Sequence, residues 1–301
     1  MSETTEQFRI EGCQRPRSAI TKPKLQAPPG TTDCHFHIFG PHARYPLHPG
    51  RHYTPPEATV PDYQAMAATL GIERMVVVQP SIYGTDNRCT LDAVAAFGPG
   101  RARAIAVTDD SITAPELRRL HEASVRGVRF NAVNGNGTPL EQLRSLAHRV
   151  APLGWHVQLY LSAAQLLELA PSLRGLGLPI VIDHMGGVAS DQGVAHPAFQ
   201  ALLRLIEAGR TWVKLTFYRN SVSGQPFTDA VPLAAALIAA APERCLWGTD
   251  WPHPNYLKPM PDDGGLLDLL GAVAPEARLK RQILADNPGD LYGFVPPVSS
   301  P

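Results

Sequence analysis

Short hydrophobic runs recur along the chain, and the stretches between them carry apolar residues at helical spacing. Eight of the runs have the length and the β-branched content of strands. They cover residues 31–38, 74–80, 101–108, 125–130, 156–161, 179–184, 211–217 and 245–251. Intervening stretches such as "DYQAMAATLG" and "AFQALLRLIEAG" have helical periodicity. Strands that alternate with helices predict parallel βαβ units.

Eight such units in 301 residues predict a closed (β/α)8 TIM barrel of the α/β class. A doubly wound sheet is the alternative, but the first strand-to-helix turn lacks the GxGxxG pattern typical of that fold. The catalytic barrel domain is predicted over residues 28–294. Residues 1–27 lack periodicity and are predicted to form an N-terminal arm over the body, and residues 295–301 a tail.

Polar side chains occur where barrel enzymes carry their chemistry, at the carboxyl ends of strands. His35 and His37 are two residues apart in the first strand, so they point to the same side, and Cys34 and Phe36 are expected to face the helices. Unpaired buried polar groups cost about 1–3 kcal/mol each, so packing alone does not explain their convergence. The sequence therefore predicts a functional site at one mouth of the barrel. The polar residues at the strand ends are His35, His37, Arg129, Tyr160, His184 and Asp250.

The charge balance narrows the range of partners. The chain has 27 Lys and Arg and 27 Asp and Glu, with no basic stripe, which argues against nucleic acid and anionic membranes as partners. Its four cysteines form no CxxC pair and indicate free thiols in a reducing compartment. No signal peptide or membrane span is predicted. We expect a cytoplasmic protein, a monomer or small homo-oligomer, that acts on a small molecule.

Three motifs in chain order make the prediction more specific. They are "DCHFHIFGP" in the first strand, "PIVIDHMG" in the sixth and "WGTDWPHPN" in the eighth. With them the chain resembles the amidohydrolase superfamily, and within it the 2-pyrone-4,6-dicarboxylate lactonase branch, over about residues 25–293. The resemblance implies a hydrolase of the aromatic-compound-degradation type that opens a carboxylate-bearing lactone, either 2-pyrone-4,6-dicarboxylate-like or sugar-acid-like.

Lactone hydrolysis needs an activated water and stabilisation of an oxyanion. Asp250 is the expected general base, because it is the only carboxylate in the predicted cluster. A structural role, as an acceptor that orients the histidines, is the alternative for Asp250. His35, His37 and His184 are expected to polarise the carbonyl or to orient the water.

The remaining candidates concern substrate binding. Arg129 and Arg219 are candidate clamps for a carboxylate, which guanidinium binds in a bidentate manner, although Arg219 is equally well explained as a solvated loop residue. Asn255 is expected to order the loop around Asp250 or to contact the substrate. Lys214, in the middle of the seventh strand, receives no role. The resemblance also implies that three polar residues contact the substrate, namely Tyr53, Ser81 and Tyr160.

Members of the superfamily commonly bind one or two divalent ions. The fourth strand here ends with Arg129 in place of the carboxylated lysine that bridges two metals, so a binuclear site is not expected. Because the lactonase branch is understood to work without metal, we expect no required cofactor. The alternative is a single zinc ion held by His35, His37 and Asp250, with His184 as a further ligand.

Two other functions stay open at this point. A single-zinc amidohydrolase that acts as a decarboxylase or hydratase could use the same histidines and aspartate. A non-catalytic binding barrel is the third possibility, against which the complete set of three histidines and Asp250 argues. The loop after "GVRFN" reads "AVNGNGTP" and is neutral, whereas the dicarboxylate lactonase has a further basic residue there. The resemblance therefore implies a weaker dependence on a second substrate carboxylate.

Overall fold

Eight parallel strands pair in chain order in the computed structural model, which describes residues 13–295. The ring is closed beyond β8, because the Asp250 amide donates to the His35 carbonyl (2.7 Å) and the His37 amide to the Trp251 carbonyl (2.8 Å). The predicted (β/α)8 barrel is confirmed. The strands are β1 Thr32–Phe36, β2 Arg74–Val78, β3 Ala102–Ala106, β4 Val125–Asn131, β5 His156–Tyr160, β6 Ile180–Ile182, β7 Thr211–Leu215 and β8 Cys245–Trp247.

One main α-helix follows each strand, and two short α-helices, joined by a π-helical segment over Gln282–Asp286, follow the last of them. Capping boxes begin several of them: at α3, for example, Glu116 accepts from the Thr113 amide (2.8 Å) while the Thr113 hydroxyl accepts from the Glu116 amide (3.4 Å). The helices are α1 Val60–Leu70, α2 Arg88–Phe97, α3 Ala114–Glu122, α4 Leu143–Val150, α5 Ala163–Leu173, α6 Pro197–Glu207, α7 Val231–Ala240, α8 Asp263–Val273, α9 Ala277–Arg281 and α10 Asn287–Tyr292.

Strands β6 and β8 are shorter than the sequence predicts, at three residues each. The chain leaves the strand direction just beyond them: His184 and Asp250 have φ of +50° and +58°, in the left-handed region that few residues other than glycine adopt. Both residues therefore lie in turns beyond the strand ends. Backbone strain of this kind is concentrated at functional sites.

Strand residues divide between an outer layer against the helices and the barrel interior. Phe36 stacks on Tyr63 of α1 with ring centroids 3.7 Å apart, as expected of an outward residue. The expectation for Cys34 is wrong, because it packs in the inner cluster with residues such as Val76 and Leu246. The cause is a register irregularity in β1 between Asp33 and Phe36, which places both Cys34 and His35 inward.

Asp33 joins β1 to the end of β8 and to α1. Its buried carboxylate accepts from the amides of His35 and Thr249 (3.0 Å each), from the Thr249 hydroxyl (2.6 Å) and from the Tyr63 hydroxyl (3.1 Å). We expect Asp33→Ala to lower the free energy of unfolding by about 2–3 kcal/mol, since buried amides lose their acceptor. Urea denaturation measures this, with the exposed Asp191→Ala as control. An unchanged midpoint in Asp33→Ala would contradict the assignment.

The described part of the N-terminal arm lies along α8 and the loop before it. The Thr21 amide donates to Asp262 (3.0 Å), and the Lys24 amide to Asp268 (2.7 Å). The domain limits at residues 27 and 294 stay predictions, and residues 1–12 and 296–301 lie outside the described part. Among residues 13–295, no helix has the length and apolar character needed to cross a membrane.

Candidate active site

Asp250 lies at the centre of the polar mouth and is buried. Its Oδ2 accepts hydrogen bonds from the Tyr218 hydroxyl and the Arg219 Nε, both at 2.6 Å. Its Oδ1 has no hydrogen-bond partner among residues 13–295 and lies 3.3 Å from His37 Nε2 and 3.6 Å from His35 Nε2. One oxygen of Asp250 is therefore fixed by protein donors, and the other faces the histidines.

Three histidines surround the Asp250 carboxylate, two of them beside the free Oδ1 and the third nearer Oδ2. His37 Nδ1 lies 2.7 Å from the Val78 carbonyl, and because a carbonyl can only accept, Nδ1 carries the proton and Nε2 presents a lone pair. His184 Nδ1 lies 2.9 Å from the Thr216 hydroxyl, and its Nε2 lies 4.0 Å from Asp250 Oδ2. Burial lowers the pKa of His37 and brings the pKa of His184 to about 4, so both rings are neutral at neutral pH.

The charge of Asp250 is stabilised by its neighbours. Burial by itself raises the pKa of this carboxyl group, but Arg219 and the surrounding histidines outweigh burial and hold the pKa well below its usual range. Asp250 is therefore ionised at neutral pH and can accept a proton only when a reacting group supplies one.

A second carboxylate, Asp183, lies in the same cluster and was not recognised from the sequence. Its Oδ2 accepts from Arg129 Nε (3.2 Å) and Gln158 Nε2 (3.1 Å). The expectation that Asp250 is the only carboxylate in the cluster is therefore wrong, and Arg129 has a counter-charge within the protein. A signal was available, because Asp183 follows the inward Val181 at the period of a strand.

Arg219 is a site residue and not a solvated loop residue. Its side chain is 15% exposed, its Nε donates to Asp250, and its Nη2 donates to the Pro254 carbonyl (2.7 Å). Arg129 is 3% exposed and donates through Nη1 to the Gln79 carbonyl (3.3 Å). Both guanidinium groups thus lie at the mouth, each with a carboxylate partner in the protein.

The other predicted substrate contacts line the same mouth at different depths. Tyr160 packs edge-on against His184 with ring centroids 4.7 Å apart. Tyr53 is buried beside Ser81, which follows β2. Asn255 donates to the side chain of Asn134 (3.3 Å) and so links the β8 loop to the neutral loop after β4. Their roles toward a substrate stay predictions.

Lys214, for which no role is predicted from the sequence, lies in the same cluster. It is fully buried in β7, and its Nζ lies 2.7 Å from Gln158 Oε1, 3.3 Å from His35 Nδ1 and 3.5 Å from Asp183 Oδ1. The contact with His35 has hydrogen-bond geometry. By contrast, Asp183 Oδ1 lies 3.2 Å from the same nitrogen of His35 but forms no hydrogen bond among the described residues. An ammonium group only donates, so His35 Nδ1 accepts and the proton of the neutral ring is on Nε2.

The tautomer of His35 affects which groups of the cluster are available to a metal ion. Ligand atoms of His35, His37 and Asp250 lie within 4.8 Å of one another, and so do those of His35, Asp183 and His184. A histidine nitrogen binds a metal through a lone pair, and in this arrangement Nε2 of His35 carries hydrogen while Nδ1 is engaged by Lys214. In this arrangement His35 therefore offers no free lone pair to either trio.

Comparison with known proteins agrees with this architecture. A family model described as amidohydrolase matches residues 32–294. A 2-pyrone-4,6-dicarboxylate hydrolase of Comamonas testosteroni is 41% identical over 284 residues, 90% of this chain and 93% of the relative. A 4-sulfomuconolactone hydrolase of Hydrogenophaga intermedia is 41% identical over 295 residues, 94% and 95% of the two chains. A crystal structure from Agrobacterium tumefaciens, 30% identical, has a TM-score of 0.82 and covers 91% of this chain and 100% of that one. The chain therefore belongs to the amidohydrolase family.

Proposed function

We propose that this protein is a hydrolase that opens the ring of a lactone bearing an anionic group, with Asp250 as the base that activates water. The observation that carries the proposal is the pair formed by Asp250 Oδ1 and His37 Nε2. These two acceptors are 3.3 Å apart and suit one water that donates a hydrogen to each. Relatives that align over at least 90% of the chain and are named as lactone hydrolases support the substrate class.

The chemistry proceeds in two steps. The water oxygen bonds to the lactone carbonyl carbon while one proton passes to Asp250 Oδ1, and the carbonyl electrons move to the oxygen, which accepts from His35 Nε2. The bond between this carbon and the ring oxygen then breaks, and Asp250 returns the proton to the leaving oxygen. The products are a carboxylic acid, which releases its proton to solvent and becomes a carboxylate, and a hydroxyl group, which becomes a ketone when the ring is a pyrone.

The arginines explain why the substrate is anionic. Arg219 lowers the basicity of Asp250, which is unfavourable for a general base. A substrate carboxylate or sulfonate beside Arg129 and Arg219 compensates their charge and raises the basicity of Asp250 when the substrate is bound. Guanidinium groups recognise such oxyanions well. The neutral loop after β4 favours one anionic group over two.

We propose that the reaction requires no metal ion. The tautomer of His35 and the cationic surroundings of Arg129, Lys214 and Arg219 support this. We expect protein purified without added metal to hydrolyse its substrate and to keep full activity after chelator treatment and dialysis. Metal analysis beside the activity assay tests the point. The proposal would be contradicted if the protein contained one equivalent of zinc and lost activity on its removal and regained it on its return. That result would favour a single-zinc decarboxylase or hydratase.

A panel of lactones assayed by proton release tests the function itself. It includes 2-pyrone-4,6-dicarboxylate, 4-sulfomuconolactone, a sugar-acid lactone and the methyl ester of each acid. Ring opening releases a proton from the new carboxylic acid, whereas a hydratase releases none and a decarboxylase liberates carbon dioxide. Binding of lactones without turnover would favour the non-catalytic barrel. A place in aromatic compound degradation is part of the proposal, and the cytoplasmic location stays a prediction.

A further inference from the structure

The buried ammonium of Lys214 has no part in the steps above. It is fully buried within the barrel, beneath the mouth, on the middle of β7. Burying a charge is costly unless it is paired and hydrogen-bonded. A methionine or leucine would fill the same volume without that cost, so the amine calls for an explanation in terms of what it contacts.

Its surroundings fix the direction of each hydrogen bond. Gln158 accepts from Lys214 through Oε1 (2.7 Å) and donates through Nε2 to Asp183 Oδ2 (3.1 Å), which sets the orientation of its amide. Arg129 donates to the same carboxylate oxygen (3.2 Å). Asp183 thus balances the two cations, and the ammonium keeps hydrogens for the other acceptors within reach, His35 Nδ1 at 3.3 Å, with hydrogen-bond geometry, and Asp183 Oδ1 at 3.5 Å.

The hydrogen bond from Lys214 to Nδ1 determines what His35 presents through its other ring nitrogen, Nε2. With Nδ1 as an acceptor, His35 Nε2 carries the hydrogen and has no partner among residues 13–295. It lies 3.6 Å from Asp250 Oδ1, beside the position proposed for the water. His37 has the opposite tautomer, because the Val78 carbonyl takes its Nδ1 hydrogen. The two histidines at the end of β1 therefore present one donor and one acceptor to the reacting centre.

We propose that Lys214 is a positioning residue that makes His35 the hydrogen-bond donor to the oxyanion. The inference rests on the proposed hydrolysis for its catalytic consequence, but the tautomer itself does not depend on it. Without Lys214, the hydrogen moves to Nδ1, where Asp183 Oδ1 lies 3.2 Å away and can accept it. His35 then presents a lone pair to the oxyanion, and the two groups repel each other.

The tautomer can be measured without substrate. Long-range 1H–15N correlation spectra of protein labelled with 15N-histidine distinguish a ring with hydrogen on Nε2 from one with hydrogen on Nδ1. Signals lost in His35→Asn identify His35. We expect hydrogen on Nε2 in the wild-type protein and on Nδ1 in Lys214→Met. Hydrogen on Nδ1 of wild-type His35 would overturn the inference, and this result needs no variant of Lys214 to fold.

Kinetics provide the second readout. We expect Lys214→Met to lower kcat by about 10- to 10²-fold and to change KM by less than about threefold, since loss of one oxyanion donor affects the transition state and not substrate binding. The exposed Lys22→Met is the matched control. If Lys214→Met folds and keeps wild-type kcat although its His35 tautomer has changed, the positioning role is wrong. If no lactone is hydrolysed at all, the proposed function is wrong, but the NMR spectra still test the His35 tautomer independently.

Discussion

Replacing Asp250 with asparagine is expected to lower kcat by about 10²- to 10⁴-fold while leaving the fold intact. The amide keeps the shape of the carboxylate, and its oxygen still accepts from Tyr218 and Arg219. Its NH2 group then faces His37 Nε2, where it donates a hydrogen bond in place of the water and takes up no proton. Both the binding of the nucleophile and its activation are lost together.

Steady-state kinetics with the best lactone of the panel and thermal unfolding measure the two effects separately. The exposed Asp191→Asn serves as a control for the loss of one negative charge. If Asp250 only orients the histidines, Asp250→Asn lowers the unfolding temperature and keeps near-wild-type kcat per folded molecule. That outcome would remove Asp250 as the base.

Arg129→Met is expected to lower kcat/KM for an anionic lactone by an amount equivalent to about 2–4 kcal/mol, with an increase in KM. The guanidinium of Arg129 lies 5.6 Å from the ring of Tyr160 at the mouth, where it can hold a substrate oxyanion. Arg129→Lys is expected to recover part of the loss, because an ammonium lacks the planar fork of guanidinium.

The partnership of Arg129 with Asp183 makes a matched comparison necessary. A purely structural role weakens hydrolysis of an acid and of its methyl ester by the same factor, whereas a clamp affects the acid far more. Arg126→Met, on the same strand, controls for the loss of an arginine from β4. Equal hydrolysis of acid and ester by the wild-type protein would show that Arg129 does not bind the substrate anion.

The sequence predicts the barrel well because its signal is periodic and repeated. Eight apolar runs alternate with helical stretches. Errors of a few residues in the predicted ends of single strands or helices do not change the order in which the strands pair. The ends of β6 and β8 were less predictable. His184 and Asp250 take positive φ there for tertiary reasons, which local propensity does not report. The inward turn of Cys34 likewise depends on a register irregularity that leaves no mark in the apolar pattern.

The sequence indicates which residues at the strand ends form the candidate site, but it does not indicate which of these residues contact each other. The histidines and Asp250 stand in recognisable motifs, and the structure brings them together. Which carboxylate neutralises Arg129 depends on contacts between β4 and the end of β6, and the sequence interpretation overlooked Asp183. The tautomer of each histidine depends on a single hydrogen-bond partner, such as Lys214 for His35 and the Val78 carbonyl for His37. Sequence spacing cannot identify these partners.

Hydrolysis in water enriched in 18O tests the central claim most directly. Mass spectrometry of the product from a single turnover locates the label, and Asp250→Asn is run in parallel. If a water activated by Asp250 attacks the lactone carbonyl, one 18O atom enters the new carboxylate of the wild-type product, and Asp250→Asn forms this product at least about 10²-fold more slowly. Ring opening without 18O in that carboxylate, or equal rates in the two proteins, would contradict the account.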